Sequence, residues 1–91
     1  MQYNTSEHAK TRMQQRGISE RLVRNVIDYG SSHRVPGGAV AKRVTRKDLK
    51  ELDEILPRHE LIEMDRHRDV YVVLNRNDVI TVGHRTARFH Q

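Results

Sequence analysis

Ninety-one residues with seventeen Lys and Arg against twelve Asp and Glu make one small basic domain, 1–91, too short for a two-domain enzyme with a deep cleft. The absence of cysteine excludes disulfides, thiolate metal ligands and a thiol nucleophile, and fits a reducing compartment. No apolar run approaches a membrane span or a signal core, so the expected location is cytoplasmic.

The first predicted element is a helix from Thr5 or Ser6, either of which can cap it, to the terminator Gly17. Ser19 caps a second helix at once, with Leu22, Val23, Val26 and Ile27 as its apolar stripe and Gly30 as its end. Two extended segments then flank the turn Pro36-Gly37-Gly38 and predict a β-hairpin. Leu49, Leu52, Ile55 and Leu56 keep helical spacing up to Pro57 and predict a third helix with acids on its outer face. Three strands are expected to finish the chain, ELIEMD (60–65), VYVVLN (70–75) and VITVGHR (79–85). The run Val70 to Leu74 suits a central strand buried on both faces, with the other two as antiparallel neighbours.

Charge is segregated along this frame. Residues 48–69 hold eight of the twelve acids and four bases, while Gly30 to Lys47 and Val79 to Gln91 hold no acid at all. Clustered positive charge on a small domain points to a polyanionic partner, most often nucleic acid. His8, Arg12 and Arg16 recur every fourth residue, so a helix stacks them along one face. Such a row either pairs with carboxylates such as Glu20, Asp28 or those of the third helix, or stays available to phosphate. Histidine transfers protons near neutrality, and arginine grips phosphate in bidentate fashion. The expected catalytic set is therefore His8 and His84 for proton transfer, with Arg12, Arg16 and Arg85 for phosphate. That pairing requires the first helix to cross the end of the last strand, and it fails if His8 and His84 lie on opposite faces.

Arg43, Arg46 and Lys47, together with Arg88 and His90 of the tail, are the expected RNA contacts. Lys42 and Arg43 must point to opposite faces of their strand, and Arg43 is assigned to the shared groove. Tyr71 and Phe89 are aromatic enough to stack on bases, although Tyr71, within an apolar strand, is expected in the core. The six histidines show neither HExxH nor a close pair with a neighbouring carboxylate, so no metal and no cofactor is expected. Gly37-Gly38 lacks the lysine of a phosphate loop, and no serine stands in a nucleophile elbow.

The opening His8, Ala9, Arg12, Met13, Arg16, Gly17, Ile18, Ser19 and the closing VYVVLNRNDVITVGHR resemble the bacterial domain-of-unknown-function family 4258 over nearly the whole chain. The final VGHR strand with its ARFHQ tail is similar, more distantly, to the end of RelE-type mRNA interferase toxins. That likeness implies an α+β domain, two N-terminal helices on a small, mainly antiparallel sheet with a third helix between strands, as in RelE- or barnase-like ribonuclease toxins. It also implies a metal-independent endoribonuclease acting on RNA, either free or on the ribosome, with an antitoxin protein as partner. Among its site residues it covers His84, Arg85, Arg88 and His90. The chain departs from the toxins in helix order, since its helical pair is expected to come first without a preceding strand. The alternative expectation is a non-catalytic nucleic-acid-binding or protein-interaction module on the same fold.

Overall fold

A two-residue strand, β1 (Asn4–Thr5), precedes the first helix in the computed structural model, which describes residues 3–85. The expectation that the helical pair comes first is thereby corrected. Ser6 then opens α1 (Glu7–Arg16) by accepting the Ala9 amide on its hydroxyl at 3.0 Å, and Gly17 closes it at φ 65°. Ser19 caps α2 (Glu20–Tyr29) in the same way, taking the Leu22 amide at 3.1 Å. Both helices keep the predicted boundaries because each cap satisfies an amide that the first turn leaves without a partner.

Gly30 ends α2 for a reason other than helix termination. Its φ of −74° suits any residue, but a Cβ there would lie 2.5 Å from the Val26 carbonyl oxygen and 2.8 Å from that of Arg43. The bare backbone lets the end of α2 close onto the sheet.

The hairpin of β2 (Ser31–Val35) and β3 (Ala39–Arg43) forms around Pro36–Gly38 as predicted. The third helix is shorter than expected: α3 (Arg46–Leu52) stops before Ile55, which is 63% exposed. Thr45 and Asp48 close a reciprocal capping box on it, and Asp48 also accepts from the Ser31 hydroxyl at 2.9 Å.

The segment expected as a strand over 60–65 is instead a helix, α4 (Arg58–Arg66). In a strand, residues three apart would leave Leu61 and Met64 on opposite faces; in a helix they share one stripe, and Met64 is fully buried in the core. Pro57 therefore precedes a helix instead of closing one, sitting in extended geometry at the N-cap of α4. The same spacing aims Glu60 and Glu63 at α2. Asn25, a buried polar side chain, donates to Glu60 at 2.7 Å, and Arg21 donates to Glu63 at 3.1 Å.

The sheet is mixed, in the order β1-β5-β4-β3-β2, with β4 (Val70–Asn75) and β5 (Asp78–His84) in antiparallel pairing and β1 parallel to β5. The chain is thus an α+β protein with four helices and five strands among the described residues. Strand β4 is buried on one face only, which corrects the expectation of two. Val70, Val72 and Leu74 meet Val79, Val82 and the buried residues of all four helices, while Tyr71, Val73 and Asn75 are half-buried on the outer face. The pairings of Val73 with Thr81 and of Leu74 with Val79 leave Ile80 as an extra residue, a β-bulge. Tyr3, just ahead of β1, donates its hydroxyl to Asp28 of α2 at 2.7 Å. That hydrogen bond, helped by burial and by the Asp28 charge, raises its pKa.

At Asp48, burial pushes the carboxyl upward, but hydrogen bonds from Thr45 and Ser31 outweigh it and hold the pKa below its ordinary value. A folded-state pKa below the unfolded one gives stability that is present above the unfolded pKa and lost as pH falls through the folded one. Asp48→Asn is therefore expected to lower stability by about 1 kcal/mol at neutral pH. Urea titrations of the two proteins should converge on acidification below the ordinary aspartate range.

Candidate functional site

Helix α1 is fastened along β5 at its first turn. The Ser6 amide donates to the Val79 carbonyl at 3.1 Å, and the Ser6 hydroxyl donates to the Ile80 carbonyl at 3.0 Å. Ala9 and Met13 face the core, and His8, Arg12 and Arg16 flank them along the helix. His8 Nε2 lies 3.0 Å from Thr81 Oγ1, and Arg16 Nη1 lies 3.5 Å from His84 Nδ1. The ridge and the last strand therefore converge. Eight helical residues span about 12 Å, and the three steps from Thr81 to His84 span about 10 Å, so the two elements run side by side. Thr81 and His84 pair with Val73 and Val70 respectively, on opposite faces of β5, so the imidazoles of His8 and His84 are anchored at separate places.

A guanidinium only donates, so Nδ1 of His84 is the acceptor of the Arg16 bond and the neutral ring carries its hydrogen on Nε2. Among the described residues, no carboxylate forms an ion pair with Arg12 or Arg16. Of the acids offered as their partners, Asp28 accepts from Tyr3, and Asp48 of the third helix accepts from Ser31 and Thr45.

His84 lies at the end of the sheet where β3 and β5 finish and β4 begins. Arg43, Thr45, Arg46, Arg68, Asp69 and Arg85 line a cleft of about 410 Å³ there. Arg43 and Arg85 also border a second hollow of about 460 Å³ on the outer face, with His33, Val35, Ala41, Tyr71 and Val73. Arg43 thus joins the end of the last strand, while Lys42 points to the helix side beside Ile27 and Leu74. Lys47 is exposed on the first turn of α3 and lines neither cleft. Arg88 and His90, like Phe89, lie outside the described residues.

Two residues of this end were not singled out from the sequence. His67 caps the C-terminus of α4 and Asp69 follows in the turn; with His84 they bring one ligand atom each within 4.8 Å of one another. The expectation that no carboxylate stands beside a histidine pair is corrected. The interval His67-x-Asp69 was visible, but its partner fifteen residues later is delivered only by the pairing of Val70 with His84.

Tyr71 also departs from expectation. It lies half-buried on the outer face, its ring across Gly83, where a Cβ would stand 2.8 Å from the Tyr71 hydroxyl oxygen. The ring fills the place of the missing side chain.

The family model for a domain of unknown function (DUF4258) matches residues 5–84. The chain belongs to the DUF4258 family. The matched span runs from the end of β1 to His84 and so takes in both halves of the α1–β5 seam. No curated protein and no solved structure matches this DUF4258 chain, so the distant likeness to RelE-type toxins gains no support from a homologue. No helix among the described residues is long and apolar enough to cross a membrane.

Gly83→Ala is expected to cost about 1–2 kcal/mol, because the new methyl displaces the Tyr71 ring. In a Tyr71→Ala background the same change should cost far less. A double-mutant cycle by urea denaturation reads the coupling, and additive costs would show that the ring and the glycine are independent.

Proposed function

We propose that this chain binds RNA along the α1–β5 seam and the cationic end of the sheet, and that it is a metal-independent endoribonuclease of RelE type. The carrying observation is the meeting of Arg16 with His84 on a ridge without carboxylate partners among the described residues. In this reading Arg12, Arg16 and Arg85 hold phosphates, and Arg43 and Arg46 extend the track across the cleft. Lys47 and the tail residues Arg88 and His90 add charge to it. The 2′-hydroxyl attacks its neighbouring phosphorus and the P–O5′ bond breaks; one of His84 and His8 takes the hydroxyl proton, the other protonates the leaving 5′-oxygen, and the guanidinium groups stabilise the crowded phosphorane. RNA, either free or on the ribosome, is the substrate, a cytoplasmic setting follows from it, and an antitoxin protein is the partner that restrains it.

The separate anchoring of His8 and His84 favours a second reading, a module on the same fold that binds nucleic acid without cutting it. Cleavage requires His8 to leave Thr81 and swing toward His84 so that both rings reach one phosphodiester. Binding requires only the charge.

The test is untagged protein on labelled RNA in EDTA, with and without ribosomes. Binding should weaken steeply with salt, and Arg16→Ala and Arg43→Ala should each reduce the salt slope by about one unit. Cleavage should leave 2′,3′-cyclic phosphate ends and be lost in His84→Ala. Binding without any cleavage in either assay selects the second reading, and no association at low salt overturns both.

A further inference from the structure

The geometry points to a binding site for a divalent transition-metal ion of the zinc class, formed by His67, Asp69 and His84. This goes beyond the RNA reading and does not rest on it. The three ligand atoms already lie within 4.8 Å of one another, and around a tetrahedral zinc ion ligand atoms stand about 3.3 Å apart. Small rotations of side chains that reach solvent close that gap, because Asp69 is exposed and both histidines are half-exposed.

The backbone that carries them is held at three points. The His67 amide donates to the Glu63 carbonyl at 3.1 Å, the Val70 amide to the His67 carbonyl at 2.9 Å, and the Arg85 amide to the Asp69 carbonyl at 2.7 Å. The last of these ties the turn before β4 to the end of β5, so the contributors from distant parts of the chain keep their spacing. Such anchoring lowers the ordering cost of binding an ion.

Two imidazoles and one carboxylate form a donor set for borderline divalent ions, and they leave coordination positions open to water or an anion. His67 also sits at the C-terminus of α4, where the negative end of the helix dipole favours a cation. Of the nearby guanidinium groups, that of Arg68 is paired with Asp65 at 3.0 Å.

Arg16 competes with the ion. It needs the lone pair of His84 Nδ1, and a metal on either ring nitrogen leaves the hydrogen on the other. An ion on Nε2 forces Nδ1 to carry the hydrogen, whereas an ion on Nδ1 takes the position of Arg16. Either way the guanidinium must release the ring, so occupancy of the site frees Arg16 to meet an anion.

The experiment uses untagged, metal-free full-length protein titrated with CoCl₂, read by the visible absorption of bound cobalt and by calorimetry, with ZnCl₂ as competitor. One equivalent is expected to bind and to be displaced by zinc. His67→Ala, His84→Ala and Asp69→Asn should each weaken binding at least about tenfold. His59→Ala, on the first turn of α4, should leave it unchanged, and Arg16→Ala should tighten it. Absence of saturable uptake overturns the site, as does full stoichiometry in the His67→Ala/His84→Ala double variant. RNA association in EDTA is measured separately, so a failed metal titration leaves that reading standing, and the reverse holds.

Discussion

One hydroxyl group sets the placement of the functional end. The Ser6 side chain accepts the Ala9 amide and donates to the Ile80 carbonyl, so the cap that starts α1 is also the peg that fixes it on β5. Because a helix is rigid over ten residues, pinning its first turn decides where its last turn lies. Arg16 reaches His84 for that reason, although the two are separated by sixty-eight positions in the chain. The cationic row is thus held in place by backbone acceptors of the strand it serves.

The acidic segment explains why this charge stays uncompensated along the ridge. Glu60 and Glu63 are used to bind α4 to α2, and Asp48 is used to start α3 and to hold Ser31. Asp28 takes the Tyr3 hydroxyl and Asp78 the Asn4 amide. Each of these carboxylates holds one part of the fold to another, and none of them is sent to the ridge. A basic face on a small domain is a consequence of spending acids on assembly.

The N-terminal half was legible because its signals are local. Ser6, Gly17 and Ser19 mark boundaries through hydrogen bonds within four residues, and Pro36-Gly37-Gly38 marks a hairpin. The stretch 58–66 was not, since Leu61, Ile62 and Met64 fit a short strand almost as well as a helix, and the deciding contacts, Glu60 and Glu63 with α2, are tertiary. Arg12 and Arg16 were legible as a row, and the crossing of helix and final strand was legible as a condition. The company of His84 was not, because the His67–Asp69 turn reaches it only through strand pairing. Tyr71 misled for a related reason: apolar neighbours suggested two buried faces, and only a glycine on the adjacent strand shows where its ring lies.

The bulge at Ile80 carries a last consequence. Strict alternation from the buried Val79 would turn Thr81, Gly83 and Arg85 toward the helices and His84 away from them. The additional residue reverses that phase, so Val82 enters the core and the imidazole, in place of the neighbouring guanidinium, faces α1. The chemical character of this end of the molecule is therefore chosen by a single irregularity in strand geometry, and the same amino acids paired without the bulge would present the opposite set of groups to α1.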